Sequence, residues 1–403
     1  DAPLDLYTYE ADMVAANIEH RQAPAMRWDD TLGNMRVLDR WRQEIGLVYD
    51  LEKPQNVIHT ITHRPLVFGR QASGNRLQDR QDRTLKPEAR SLKPAAMKYG
   101  TVPGLDKPVS RLFMGADSNS TMPDTAILFD AWFEHGGNAF DTSHGYGNPL
   151  GACERNLGQW IRNRGIRDQV VVMEKGANYP NDNPKGLTKE LLEGLELLQM
   201  DQVDIYAIHR DNPDIPIGEW VDVLNENLGA GRMKVFALSN FTLPRLDAFR
   251  DYAVRRGLRG FVAVSNQFSL AQVQAPIWDC YLVSSSDAQS RAWFEKTQTP
   301  LFSWSSQARG FFTERASREN TSNPELVRCW YNEDNFGRKE RAEELARKRG
   351  VLPINIALAY VLNQPFPTFP LIGPKRIAEI RSSLAALEIE LSTEELRWLR
   401  SSD

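Results

Sequence analysis

The chain has 403 residues, more than one compact domain usually holds, with 41% hydrophobic residues, 25% charged residues and a formal net charge of −4. That balance gives no reason to expect nucleic acid or an anionic membrane as a partner, and no apolar run approaches the roughly 18 residues a transmembrane helix needs. Cys153, Cys280 and Cys329 are far apart and without metal-ligand spacing, so a reducing, cytoplasmic compartment, buried thiols and no metal site are expected.

The first residue is Asp, and no signal-peptide pattern follows it. A trimmed or excised chain whose true start lies elsewhere is expected. In residues 1–52, Leu32, Met35, Leu38 and Ile45 fall at helical spacing over 31–46, and a shorter helix is expected near 10–19. Fifty such residues are too few for a sizeable core. The run PAMRWDDTLGNMRVLDRWRQEIGLVYDLE resembles the extreme C-terminus of sugar oxidoreductases of the glucose–fructose oxidoreductase and inositol dehydrogenase family. The resemblance covers only this tail. It implies a bifunctional parent whose upstream dinucleotide-binding dehydrogenase domain is covalently linked to this chain.

Residues 53–98 carry ten Lys or Arg against three Asp or Glu, with no sustained period, and read as a solvated basic linker rather than an anion-binding arm. From about Met97 the pattern becomes regular. A hairpin feeds a strand ending at Gly115. Strands are then expected at 139–141, 170–175, 203–209, 234–238, 261–264, 300–302 and 368–372. Helices alternate with them near 124–135, 152–163, 187–198, 220–228, 243–255, 354–362 and 376–387, and an insertion rich in Gln and Ser separates the sixth and seventh strands. Ser392 and Glu395 form a capping box for a last helix. Eight strand–helix units over roughly 300 residues fit an α/β fold, a (β/α)8 TIM barrel, better than an open doubly wound sheet.

The stretch NAFDTSHGYGN, 138–148, ends a strand on Asp141 and carries Tyr146 in a Gly-flanked loop. A phenol has a pKa near ~10 and needs neighbouring positive charge to move a proton near neutral pH. Lys175 and His209 end two later strands, so a barrel places Asp141, Lys175 and His209 on one rim. Taken singly, Asp141 reads as a turn cap, Tyr146 as a loop residue, Lys175 as solvent-facing and His209 as a core histidine. Together on one rim they point to proton-transfer chemistry. Gly145, Gly147 and Gly151 are spaced GxGxxxG, not as a dinucleotide fingerprint, and suit a turn.

The motifs DTSHGYG, EKGA, DIYAIHRDNP, FALSNF, VSNQFSL and FPLIGPKRIAEIRSSLAALEIELSTEEL, in that order, resemble the aldo-keto reductase family over about residues 99–403. The resemblance implies a nicotinamide-dependent oxidoreductase that reversibly reduces a carbonyl, with a tetrad of Asp141, Tyr146, Lys175 and His209. Tyr146 would be the general acid, Lys175 would lower the phenol's pKa, Asp141 would hold Lys175, and His209 would orient the carbonyl. It further implies NADP(H) or NAD(H) contacts from Ser239, Asn240 and Gln267 to the carboxamide, and Trp304 stacked on the nicotinamide. Ser305, Gln307 and Arg309 would meet the pyrophosphate. Gly373, Lys375, Arg376, Glu379 and Ser383 would lie at the adenosine end. Glu379 stands where the family often has Arg or Gln, and Ser382–Ser383 where it often has an acid or amide followed by Asn. The carboxylate favours a free 2′-hydroxyl, while the family favours NADP. Arg210, Asp211 and Asn212 follow His209, and Phe311, Phe312, Trp330 and Tyr331 fall in later loops; polar groups beside aromatic faces suit a sugar or sugar-derived ketone. For these four rings, packing under a long loop is the competing reading. The competing functional class is a cofactor-sensing or regulatory barrel with little turnover.

Overall fold

The computed structural model describes residues 96–117 and 121–401. The helices expected at 10–19 and 31–46, and the division at residue 52, lie outside the described residues, as does all of the expected linker except 96–98.

Strands β1 (Tyr99–Gly100) and β2 (Val109–Ser110) form the expected antiparallel hairpin. Seven parallel strands follow: β3 (Phe113–Gly115), β4 (Ala139–Asp141), β5 (Val171–Gly176), β6 (Val203–Ile208), β7 (Met233–Ser239), β8 (Ala263–Ser265) and β9 (Leu371–Ile372). They run in the order β8-β7-β6-β5-β4-β3-β9. The strand expected at 300–302 is reduced to backbone bridges, which nevertheless close the ring. Val264 donates to the Pro300 carbonyl at 2.9 Å and Phe302 to the Val264 carbonyl at 2.8 Å; Leu301 donates to the Pro367 carbonyl at 2.9 Å and Phe369 to the Leu301 carbonyl at 2.8 Å. The segments 300–303 and 367–371 therefore stand as the seventh and eighth staves of a (β/α)8 barrel.

Helices α1 (Met122–Glu134), α2 (Ala152–Arg164), α3 (Pro184–Leu198), α4 (Ile217–Gly229) and α5 (Leu243–Arg256) follow β3 to β7 in turn. In α3, Leu187, Leu191, Leu195 and Leu198 are all buried, as their spacing predicts. Asn183 caps that helix by accepting the Gly186 N–H at 2.9 Å, with Pro184 in the first turn. Gly158 of α2 has to be glycine for contact with α3, because a Cβ there would stand 2.1 Å from the Leu198 carbonyl oxygen. Sequence reading missed α6 (Ala288–Thr297), α7 (Pro324–Trp330) and α8 (Glu333–Arg349). The helices α9 (Pro353–Leu362), α10 (Ile377–Ala385) and α11 (Thr393–Arg400) were expected, and Ser392 and Glu395 make the predicted capping box. No helix among the described residues is long and apolar enough to cross a membrane.

Side chains alternate along β4 and β5 and, above their first residues, along β6 and β7. Phe140, Val172, Tyr206, Ile208, Phe236 and Leu238 face the helices and join the larger core. Ala139, Val171, Met173, Ile205, Ala207, Val235, Ala237 and Ala263 face inward. Phe113, Phe302 and Phe369 fill the remaining arc, and Val102 and Val109 of the hairpin segment plug the floor. Extending the inward series by one step along each strand gives Asp141, Lys175, His209 and Ser239. The polar layer at the C-terminal rim is thus the continuation of the apolar one beneath it.

Candidate active site

Lys175 and Asp141 form a buried ion pair, and the ammonium also donates to the Thr142 carbonyl at 2.9 Å. Tyr146 lies over this pair, with Lys175 Nζ 4.9 Å from the centre of its ring. Its ring meets the His209 imidazole edge-on, centroids 5.7 Å apart at 84°. The loop bringing Tyr146 there starts with a turn, in which its N–H donates to the Ser143 carbonyl at 2.9 Å. The turn continues through Gly147 at φ +95°, where a Cβ would press on Cys153 N at 3.0 Å. The turn role expected for the loop glycines holds at Gly147 and Gly151, both of which have positive φ.

The electrostatics depart from expectation. The phenol is pushed well above its ordinary pKa by burial, then by the charges of Asp141 and Asp117, while Arg210 pulls the other way. Lys175 was expected to lower it. Seen from the phenol, however, that ammonium is matched by the Asp141 carboxylate bound to it, and Arg210 supplies the uncompensated positive charge. His209 is held neutral, its pKa pushed well below the usual range by burial and then by Arg210 and Lys175. Its Nδ1 lies 2.9 Å from Ser143 Oγ, and Asn240 Nδ2 donates to its backbone carbonyl at 2.9 Å.

The expected carboxamide-binding groups are already engaged. Ser239 Oγ donates to the Ser265 carbonyl at 2.7 Å. Asn240 Oδ1 accepts the Val283 N–H at 3.1 Å. Gln267 is wholly buried; its Oε1 accepts from Ser284 Oγ at 2.5 Å and its Nε2 donates to Ser269 Oγ at 2.9 Å. The segment 272–286 between β8 and α6 supplies Val283 and Ser284, and it also places Trp278 against Trp304, centroids 5.7 Å apart. A cavity of about 200 Å³ opens between this segment, Gln267 and Trp304.

Ser305 adopts φ +48° and Arg309 φ +52°, a left-handed course uncommon for residues other than glycine. Beside them, Ser306 Oγ donates to the Leu371 carbonyl at 2.8 Å, tying 305–309 to the turn at Gly373. Gly373, Lys375, Arg376 and Arg309 are exposed and Gln307 half-exposed, with the N-terminus of α10 just beyond. Cations beside a helix N-terminus suit a diphosphate. Arg309 is also paired with Glu325 of α7 and lies 5.6 Å from the Trp278 ring centre. Glu379 is exposed and accepts the Lys375 N–H at 2.7 Å, and Ser383 is buried in α10.

The expected substrate residues divide. Arg210 directly follows His209, and its charge bears on both His209 and Tyr146. The Asp211 carboxylate is held instead by Arg245 of α5 at 2.6 and 2.8 Å. Trp330 ends α7 wholly buried, as are Phe311 and Phe312, so these three rings are packing residues and not walls of an open pocket. Cys153 and Cys329 are buried as expected, whereas Cys280 is half-exposed. Sequence reading missed Ser143, Asp117 and Trp278. Ser143 lies inside the loop motif, but nothing local marks it as the partner of a histidine 66 residues away.

A model of the aldo/keto reductase family matches residues 112–403. Over 308 residues the chain is 28% identical to "Uncharacterized oxidoreductase YrpG" of Bacillus subtilis (strain 168), spanning 72% of this chain and 91% of that protein. It is 24% identical over 299 residues to "Norsolorinic acid reductase B" of Dothistroma septosporum, spanning 68% and 70% respectively. Its fold matches a crystal structure of the thermostable aldo-keto reductase Tm1743 in complex with the inhibitor epalrestat, with TM-score 0.58 and 21% identity over 75% of this chain and 99% of that one.

Proposed function

The chain belongs to the aldo/keto reductase family of NAD(P)-dependent oxidoreductases, and from that premise we propose that it reduces a carbohydrate-like aldehyde or ketone with Tyr146 as proton donor. The juxtaposition of Tyr146 with Lys175 and His209 at the barrel mouth carries the reading. A reduced nicotinamide, when bound, supplies the hydride. Ser305, Gln307, Arg309, Gly373, Lys375 and Arg376 are the residues suited to its phosphates, Trp304 to its ring, and Glu379 to its ribose. Asn240 and Gln267 keep their proposed amide role only through exchange of their present partners Val283 and Ser284, and Ser239 only through release of the Ser265 carbonyl.

As negative charge grows on the substrate oxygen, the Tyr146 hydroxyl donates to it and then gives up its proton. A phenol held above its ordinary pKa is fully protonated at neutral pH, as the reductive direction requires. An alkoxide is basic enough to take that proton all the same. Arg210 supplies the net positive charge that steadies the phenolate left behind, and Lys175, anchored by Asp141, adds what its carboxylate partner leaves uncompensated. The neutral His209 orients the carbonyl. In the oxidative direction the phenolate is the base, and burial works against it.

The resemblance of residues 1–52 to a sugar-oxidoreductase tail supports an extension in which a linked upstream dehydrogenase oxidises a hydroxyl and this barrel reduces the ketone, giving net epimerisation. A parent polypeptide without an upstream dinucleotide-binding domain removes that extension. The central reading is tested by single-turnover oxidation of bound NADPH or NADH across sugar aldehydes and ketones. Consumption with at least one of them, abolished by Tyr146→Phe, is expected. Nucleotide binding with no oxidation across the panel would mark a sensing barrel instead.

A further inference from the structure

Arg210 directly follows His209 and keeps only 9% of its surface exposed. Its Nε is sealed from solvent and has no acceptor. Among the described residues no carboxylate pairs with it, and the groups whose charge bears on it are the Cys280 thiol and the Tyr146 phenol. The acids that could have answered it are spent: Asp211 on Arg245, Asp141 on Lys175. A guanidinium cannot shed its proton near neutral pH. The site therefore holds a largely buried permanent cation with no acceptor on its Nε, and leaves that acceptor to be supplied. A buried unpaired charge is destabilising until an anion completes it.

We propose that Arg210 recognises an anionic substituent on the substrate, so that the preferred substrate is a carbonyl compound bearing a carboxylate or phosphate near the reacting carbon. This deepens the carbonyl-reductase reading of the same site and rests on it. The guanidinium fork matches either anion through paired hydrogen bonds. The nucleotide's own phosphates are not the expected occupant. Arg210 leaves the fourth stave of the barrel, whereas Arg309, Lys375 and Arg376 leave the seventh and eighth, on the far side of the ring. The aromatic pair Trp278 and Trp304 offers apolar surface to the carbon chain of a substrate whose short anionic arm is turned toward Arg210.

The test uses the full chain and two scaffolds with and without charge: butanal against succinic semialdehyde, and glyceraldehyde against glyceraldehyde 3-phosphate. In wild type the charged member is expected to have the higher kcat/KM by roughly 10- to 100-fold on at least one scaffold, the range for a hydrogen bond to a charged group. The scaffold that responds tells carboxylate from phosphate. Arg210→Met is expected to bring that ratio close to one, and Arg210→Lys to retain part of it. Succinate and inorganic phosphate are titrated in parallel against tryptophan fluorescence, and saturable quenching lost in Arg210→Met is expected for one of them. Equal ratios in wild type and Arg210→Met, or equal quenching, would overturn the proposal. Absence of any turnover counts against the carbonyl-reductase reading, and the titration still decides on the anion. Thermal unfolding separates a structural role, because removing an unpaired buried cation should leave Tm level or higher, and a clear fall would show that Arg210 is a structural strut.

Discussion

The Oγ of Ser143 lies 2.9 Å from Nδ1 of His209 and 3.1 Å from the Lys175 carbonyl, so a single hydroxyl joins two of the groups around Tyr146. That hydroxyl has one proton. Directed at the carbonyl, it leaves Nδ1–H of His209 as donor and Nε2 as a bare acceptor. Directed at Nδ1, it leaves Nε2–H free to donate to a substrate carbonyl. The Lys175 carbonyl already accepts the His144 N–H at 2.9 Å, so it does not need the hydroxyl. The neutral imidazole makes the choice of tautomer meaningful.

Ser143→Ala should therefore lower kcat about tenfold with little change in nucleotide affinity, the scale of one misplaced hydrogen bond. Imidazole nitrogen NMR of wild type and variant reads the tautomer directly. An unchanged tautomer with unchanged kcat would remove Ser143 from the site's chemistry.

Tyr146→Phe should cut kcat by roughly 100- to 10,000-fold while leaving the nucleotide Kd within about twofold. The reductive rate of wild type should show no alkaline loss from the phenol near its ordinary pKa, because burial holds the proton on above that point. A pH–rate profile from pH 6 to 10 checks this, and a phenol-dependent fall near neutrality would contradict it.

Glu174 faces outward from β5 beneath α2, where Glu154 meets it, and both carboxyls are wholly shut off from solvent. Neither oxygen of Glu174 meets a protein donor, and Glu154 has only the long approach of His144. Burial, then Glu154, raises the Glu174 pKa well above its usual value, so the pair is expected to hold a proton between its carboxyls. The His144 Nδ1 lies 3.5 Å from Glu154, with its Nε2 3.3 Å from Glu193; Glu190, Tyr206 and Lys175 complete the charged and titratable surroundings. A carboxyl raised in the folded state costs stability progressively as pH climbs above its unfolded pKa. Glu174→Gln should therefore raise Tm, and by more at pH 8 than at pH 5. Calorimetry at the two pH values checks the sign.

Trp330→Ala should destabilise by about 3–5 kcal/mol, the range for emptying a buried aromatic site, and leave KM for small aldehydes unchanged in protein that remains folded. Urea unfolding and steady-state kinetics provide the two readouts. A raised KM without loss of stability would restore Trp330 to the substrate pocket.

Glu379→Gln should tighten NADPH relative to NADH by about fivefold, the effect of removing one screened like charge near a 2′-phosphate. Fluorescence titration with both nucleotides measures it, and an unchanged ratio would place Glu379 away from the ribose.

The central strands were readable because β5 to β7 are runs of apolar and β-branched residues whose alternation carries straight up to Lys175, His209 and Ser239. The seventh stave was overread: Leu301 and its neighbours make the right bonds, but too few in a row to form a strand. Helix α8 was legible and passed over. Asn332 caps it, Glu333 and Asp334 open it, Arg347, Lys348 and Arg349 close it, and Gly350 ends it. Its surface charge hid the narrow buried face of Phe336, Ala342, Leu345 and Ala346. The engagement of Asn240 and Gln267 by Val283 and Ser284 was not legible. It depends on where a loop without periodicity returns, which local sequence does not encode.

The barrel's filling is lopsided: Phe113, Phe302 and Phe369 crowd one arc, their centroids 5.0 to 6.2 Å apart, while Ala139, Ala207, Ala237 and Ala263 share the rest with the smaller side chains of Val171, Met173, Ile205 and Val235. Volume inside such a tube is a shared quantity. A larger residue at one of the four alanines will be tolerated only when a phenyl ring opposite shrinks with it, so change in this interior should come in matched pairs across the axis.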